Sequence, residues 1–189
     1  MSSGANFWDL LRLAEHPSWT ERAKAIGKVA AAYVAGALQE TERLAAEELF
    51  RARTHDSELV VRRLLAEWLK DSRELPRDIA LALATDCPEV AAPILTHSEA
   101  LEAEDLLRVI REHPGEHRAA VARRFALAAE VADALCRCGD ERAVATLLEN
   151  EAAEVPEKTL SWLLEARAGW RSVAPAVARR RAPTLALPN

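Results

Sequence analysis

The sequence is poor in several features that would indicate catalysis, cross-linking or membrane insertion. Its six glycines are scattered and form neither a G-x-x-x-x-G-K nor a G-x-G-x-x-G phosphate loop. Three cysteines, Cys87, Cys136 and Cys138, are too few and too unevenly spaced for a disulfide framework. No apolar run approaches the roughly 18 residues that span a bilayer, and no secretory signal is recognisable. These absences predict a reduced, cytoplasmic protein that has no membrane partner.

Basic residues are also fewer than acidic ones, with 25 Lys and Arg against 30 Asp and Glu. The formal net charge is −5 and the isoelectric point is about 5.6. Nucleic-acid-binding proteins usually carry an excess of Lys and Arg, so this balance weighs against a general nucleic-acid binder. A local basic patch can coexist with an acidic total, and nucleic-acid binding therefore stays open as an alternative.

What the chain does have is alanine, leucine and helical spacing. Half of the 189 residues are hydrophobic and 29% are charged, which suits one domain or one short array with a buried core. Apolar residues recur at spacings of three and four, as in amphipathic helices, and no run of strands is recognisable. Alanine favours helices and lets them pack closely. The composition and spacing predict an all-α protein.

Four segments of the chain repeat one another. They are DSELVVRRLLAE from Asp56, DCPEVAAPILTH from Asp86, DERAVATLLENE from Asp140 and, less closely, GEHRAAVARRFA from Gly115. Aligned, they place four residues at one position, at steps of 30, 27 and 27: Leu64, Ile94, Val121 and Leu148. We expect these four side chains to share one apolar spine. A fixed period of this size is typical of stacked helix pairs.

A second recurrent segment lies between the first ones. Its copies are PRDIALAL, AEDLLRVI, AAEVADAL and PEKTLSWL. The two segment types together predict an α-solenoid of stacked antiparallel helix pairs, HEAT/ARM-like, with about eleven or twelve helices. We expect one continuous domain with an N-terminal helical cap (1–55), helix-pair repeats (56–167), and a C-terminal capping helix with a loose tail (168–189).

The same stretches resemble a known bacterial family. The run from Glu48 to Ser98 contains the phrases VRRLLAEWL, LPRDIALALA and PEVAAPIL, and AAVARRFALAAEVADAL follows from Ala119. These phrases resemble DUF2336, a bacterial domain family of unknown function, over roughly residues 7–164. The resemblance implies an all-helical, HEAT-like repeat fold. It implies no catalytic residue and no cofactor.

Two patterns with chemical potential have simpler interpretations. His113, Glu116 and His117 match the H-x-x-E-H zinc-peptidase pattern, which requires both histidines on one helical face. Pro114 and Gly115 interrupt such a helix, so a turn before a repeat helix is the preferred interpretation. The Cys-Arg-Cys sequence at residues 136–138 lacks the usual zinc spacing. We therefore predict no metal site and no catalytic residue.

Two groups of residues are candidates for binding. In HEAT-like stacks the second helix of each pair usually lines the concave side, and there the candidates are Arg77, Glu104, Arg108, Arg111, Asp133, Arg137 and Trp162. A basic patch is predicted at Arg179, Arg180 and Arg181, because clustered arginines contact phosphates or acidic peptides. The simpler alternatives are that arginines pair with neighbouring acids and that Trp162 packs in the core.

These observations favour a non-catalytic helical-repeat scaffold that binds a protein or peptide partner, with regulation as one role that such binding could serve. The alternative is nucleic-acid binding along a concave or C-terminal basic patch, as in the DNA glycosylases with HEAT-like stacks. A metallohydrolase that uses His113, Glu116 and His117 ranks third.

Overall fold

The computed structural model describes residues 6–181, and within this range the chain forms helices and no strands. Twelve helices follow one another with short connections. They are α1 (Phe7–Leu13), α2 (Trp19–Val34), α3 (Glu40–Arg53), α4 (Leu59–Leu69), α5 (Arg77–Ala84), α6 (Pro88–His97), α7 (Ala103–Glu112), α8 (Glu116–Ala122), α9 (Ala129–Arg137), α10 (Glu141–Glu149), α11 (Glu157–Ala166) and α12 (Val173–Arg181). The predicted all-α class is confirmed. None of these helices combines the length and apolar character that crossing a bilayer requires.

The helices divide into two compact units, which meet in the sequence between Glu102 and Ala103. The first unit contains α1 to α6 and the second contains α7 to α12. The expected boundaries after residues 55 and 167 do not coincide with this division and stay predictions. The expected loose tail beyond residue 181 lies outside the described residues.

Each unit is built from two layers of helices. In the first unit α1, α3 and α5 lie side by side, as do α2, α4 and α6. In the second unit α7, α9 and α11 form one layer, and α8, α10 and α12 form the other. Consecutive helices along the chain pack against each other across the layers in most cases. Helices that carry the same repeated segment thus become neighbours within each unit, as the repeat predicts.

In α4, the fully buried residue lies one position after the residue that was expected to contribute to the apolar spine. Ile94, Val121 and Leu148 are buried, whereas Leu64 is only half-buried and its neighbour Leu65 is fully buried. The alignment starts at aspartates that lie at different distances from the first residues of their helices.

Asp140 is itself the N-cap of α10, Asp86 immediately precedes the N-cap of α6, and Asp56 precedes the N-cap of α4 by two residues. One residue of offset rotates a side chain by about 100° around a helix. Counted from the first residue of each helix, the seventh positions are all fully buried: Leu65 in α4, Ile94 in α6, Ala122 in α8 and Leu147 in α10.

An interior proline leaves α6 continuous. A proline inside a helix usually kinks or breaks it, but α6 begins at Pro88 and runs through Pro93 to His97. Pro93 is the sixth residue of the helix, so the carbonyl of Glu89 lacks the amide that would normally donate to it. The helix tolerates the loss of this one backbone donor.

Arginine–aspartate pairs, one buried and one partly buried, link the even helices of the first unit. Arg22 of α2 donates from Nε and Nη2 to the two carboxylate oxygens of Asp56, at 3.0 and 2.8 Å. Arg62 of α4 does the same to Asp86, at 2.6 and 3.2 Å. Arg22 and Arg62 are both the fourth residue of their helix. Each also donates to a carbonyl in the loop before its own helix, so one pattern joins α2 to α4 and α4 to α6.

Candidate interaction surface

The predicted concave residues are divided between the two units. Arg77 begins α5 in the first unit, where its Nη1 lies 3.6 Å from a carboxylate oxygen of Glu102. The others lie in the second unit, on the layer formed by α7, α9 and α11. Glu104, Arg108 and Arg111 are exposed along one side of α7. The remaining three, Asp133, Arg137 and Trp162, are brought together by the packing of α9 against α11.

Two arginines and two tryptophans alternate on this surface, and we name them the tryptophan–arginine cluster. The guanidinium carbon of Arg137 lies 4.7 Å from the ring centroid of Trp162. The guanidinium carbon of Arg167 lies 5.6 Å from the Trp162 centroid and 4.8 Å from the Trp170 centroid. Contacts of this length are favourable cation–π interactions. Both indoles are half-buried, so the cluster is ordered by its own contacts and still reaches the surface.

Asp133 fixes one end of the cluster. It accepts hydrogen bonds from Nε and Nη2 of Arg137 at 2.8 and 3.3 Å, one helical turn further along α9. The buried hydroxyl of Thr159 on α11 also donates to Asp133, at 2.6 Å. The hydrogen bond from Arg137 outweighs partial burial and lowers the pKa of Asp133. The hydrogen bond from Thr159 therefore joins α9 to α11, and the ion pair within α9 neutralises the charge of Arg137.

The other end of the cluster comes from the turn after α11. Arg167 is the C-cap residue of that helix, and the amide of Trp170 donates to the carbonyl of Arg167 at 2.9 Å. This turn brings the Trp170 indole against the Arg167 side chain. The sequence reasoning missed Arg167. The spacing Trp162, Arg167, Trp170 was visible, but nothing in a single sequence indicates that the turn reverses the chain there.

The predicted basic patch does not present three free arginines. Arg180 points into the end of α10, where it donates to the carbonyls of Leu147, Leu148, Asn150 and Ala153. Burial lowers the pKa of Arg180. Arg181 pairs with Glu157 and donates to Ser161, at 2.8 Å in the latter case. Arg179 is exposed. Contacts with residues distant in the sequence therefore occupy Arg180 and Arg181. Binding at this run of arginines stays a prediction.

The zinc-peptidase pattern does not form one helical face. His113 lies beyond the end of α7, Gly115 adopts a φ of 68°, and Glu116 begins α8. The two imidazole rings stack with centroids 4.9 Å apart, and Glu116 pairs with Arg142.

Burial raises the pKa of the Cys136 thiol to about 12. Across residues 6–181, no three His, Cys, Asp or Glu side chains are grouped to hold a metal ion.

Fold and surface together define an all-helical protein of layered helix pairs with a surface cluster of aromatic and cationic side chains. The family DUF2336, an uncharacterised protein conserved in bacteria, matches residues 90–187. This is more than half of the chain, and the chain belongs to that family. Comparison with curated proteins and with solved structures finds no significant match.

The matched range lies further along the chain than the resemblance suggested. The phrases VRRLLAEWL and LPRDIALALA precede residue 90 and fall outside it, whereas AAVARRFALAAEVADAL falls inside. All members of the tryptophan–arginine cluster fall within the matched range. The cluster is thus carried by the part of the chain that defines the family.

Proposed function

We propose that this chain is a non-catalytic, HEAT-like helical scaffold of the bacterial cytoplasm that binds a protein or peptide partner, with the tryptophan–arginine cluster as the contact surface. One observation carries the proposal: aromatic and cationic side chains are ordered against one another at the surface. Trp and Arg are the residue types that most often dominate binding energy in protein interfaces. Side chains already held in place lose less conformational entropy when a partner binds.

The neighbouring helix extends the proposed surface. Glu104, Arg108 and Arg111 of α7 are exposed, and α7 packs beside α9, which carries Arg137. Charges of both signs thus flank the aromatic centre. A polar rim around an aromatic centre is the usual arrangement of a non-obligate interface.

Affinity capture with matched variants tests this proposal. The purified protein is immobilised and exposed to a lysate of a bacterium that encodes the family, alongside a Trp162→Ala/Trp170→Ala variant. The matched control is Trp8→Ala/Trp19→Ala, which removes two exposed tryptophans of the first unit. We expect one protein to be retained by the wild type and the control and lost by the cluster variant, while circular dichroism shows intact helices. Equal capture by all three proteins contradicts the proposal.

Nucleic-acid binding remains the second candidate, because bases also stack on aromatic and arginine side chains. The net charge of −5 and the pairing of Arg137 with Asp133 argue against it. A gel-shift titration with single- and double-stranded oligonucleotides at low salt distinguishes the two. Binding that weakens steeply with added salt and is lost in the cluster variant would favour nucleic acid.

A further inference from the structure

Arg167 differs from the arginines that pair with carboxylates elsewhere in the structure. Arg22, Arg62 and Arg137 each make two hydrogen bonds to an aspartate. Arg167 instead contacts two indole rings, and its Nε is buried with no hydrogen-bond acceptor among the described residues. No carboxylate in the described part of the chain pairs with its guanidinium. That Nε is enclosed by the protein and is out of a ligand's reach, whereas the two Nη groups are not enclosed and have no acceptor among the described residues, so they are the donors that a ligand can meet.

The contacts of Arg167 leave the two Nη groups of its guanidinium to a ligand. The indoles of Trp162 and Trp170 contact the side chain through their rings, and its N–H groups lie in the guanidinium plane. A Cβ on residue 139 would lie 3.9 Å from Nη2 of Arg167. Because residue 139 is a glycine, no side chain there obstructs a ligand that approaches Nη2. A planar group with parallel N–H bonds matches the two oxygens of a carboxylate.

The geometry points to Arg167 as the residue of this chain that binds an Asp or Glu side chain in an acidic segment of its protein partner. This inference rests on the proposed function and names the chemistry that the cluster recognises. The flanking indoles would cover the apolar part of the same segment. A single carboxylate fits better than a polyphosphate chain, because Arg137 is already neutralised by Asp133 and only one cation is unpaired in the cluster.

Fluorescence anisotropy with defined peptides tests this assignment. The probe is a fluorescein-labelled peptide of alternating Glu and Leu, amidated at its C-terminus so that its only carboxylates are side chains. The matched probe replaces every Glu with Gln, and a single-stranded oligonucleotide of equal charge represents phosphate. The variants are Arg167→Gln and Arg167→Lys. The control is Arg142→Gln, which removes one exposed arginine of α10 and the same unit of charge.

We expect the wild type and the control to bind the Glu peptide and to bind the Gln peptide at least about ten-fold more weakly. Arg167→Gln should reduce affinity for the Glu peptide by about ten-fold or more. Arg167→Lys should fall between, because an ammonium keeps the charge and loses the two parallel donors. Circular dichroism of the same samples separates loss of binding from loss of fold, and the lysine variant supplies a second measurement if the glutamine variant unfolds.

Three outcomes overturn the inference: equal affinity of wild type and Arg167→Gln for the Glu peptide, no discrimination between the Glu and Gln peptides, or preferential binding of the oligonucleotide. If one of these occurs while affinity capture still depends on Trp162 and Trp170, only the carboxylate assignment fails. If capture is also independent of the two tryptophans, the proposed function fails with it.

Discussion

The two units of this protein place arginine in different environments. In the first unit, Arg22 and Arg62 pair with the aspartates that begin the following repeats, and the Arg22–Asp56 pair is buried. In the second unit, the corresponding Asp140 accepts hydrogen bonds from the backbone amides of Ala143 and Gly115, at 3.1 and 3.2 Å. The arginines of the second unit include two that lie over tryptophan rings at the surface.

Under the proposed function, the difference separates contacts that stabilise the fold from contacts that bind a partner. A repeat aspartate can be satisfied by an arginine from the preceding helix or by backbone amides, and both arrangements hold successive helices together. Where backbone amides satisfy the aspartate, as at Asp140, no arginine is needed to pair with it. The comparison predicts that charge pairs matter most for stability in the first unit and that surface arginines of the second unit matter most for binding.

Removal of Asp56 should have the largest effect. Asp56→Ala leaves Arg22 buried without its partner, and breaking a buried pair in this way costs about 3–5 kcal/mol of unfolding free energy. Urea denaturation followed by circular dichroism measures the change. Asp9→Ala serves as the control, because its pair with Arg12 is exposed and should contribute less than about 1 kcal/mol. Equal losses for the two variants would contradict the distinction drawn here.

Truncation of core leucines should affect both units alike. Leu65 and Leu147 are fully buried at the same position of their helices, and Leu→Ala should cost about 2–5 kcal/mol at each. Leu64→Ala should cost about 1 kcal/mol, because Leu64 is only half-buried. Thermal unfolding of the three variants checks the expectation. A larger loss of stability for Leu64→Ala than for Leu65→Ala would contradict this expectation. It would support the alignment that starts at the aspartates and places Leu64 in the core.

Acid should weaken the first unit through its aspartate pairs. Burial alone would raise the pKa of Asp56, but hydrogen bonds from Arg22 and the Glu58 amide outweigh it and lower the pKa. A carboxylate with a lowered folded-state pKa stabilises the fold fully above its unfolded pKa of about 3.9. That contribution is lost as pH falls through the lower folded-state value.

Urea denaturation of the wild type and Asp56→Asn between about pH 6 and pH 2 measures this dependence. The variant should start less stable and should lose less stability than the wild type as the pH falls. Parallel pH profiles for the two proteins would show that the Arg22–Asp56 pair does not cause the acid sensitivity.

The smallest effect on stability should come from the tryptophan–arginine cluster. Arg137→Gln removes a partly exposed ion pair and one cation–π contact, and we expect a smaller loss of stability than for any variant above. Thermal unfolding measures it, with Arg142→Gln as the control on the same unit. A loss as large as that of Asp56→Ala would assign the cluster to the core of the fold and remove the contrast between the two units.

The helices and their pairing could be predicted from the sequence because both depend on local spacing. Apolar residues at intervals of three and four define the helices, and the repeated segments indicate which helices are alike. The register of α4 could not be predicted in this way, because the repeat is marked by Asp56 while the helix begins at Leu59. The distance between a marker and a helix start depends on how the loop is capped, which similarity between segments does not report.

The candidate surface was only partly predictable. Asp133 and Arg137 are one helical turn apart, so their proximity follows from the sequence alone. The contact between Arg137 and Trp162 depends on the packing of α9 against α11, and that of Arg167 with Trp170 depends on one turn. Arg180 shows the opposite case, since an arginine in a basic run is occupied by carbonyls some thirty residues earlier in the sequence.

The contact between α2 and α4 limits how the protein can be engineered. A Cβ at Gly27, inside α2, would lie 2.9 Å from Cζ2 of Trp68, so the indole ring packs directly on the backbone of the neighbouring helix. Helix propensity favours alanine over glycine by about 1 kcal/mol at such a position. A redesign guided by helix propensity would therefore place a methyl group against this indole, which would have to shift to admit it. Substitutions meant to stabilise α2 should begin on its exposed side.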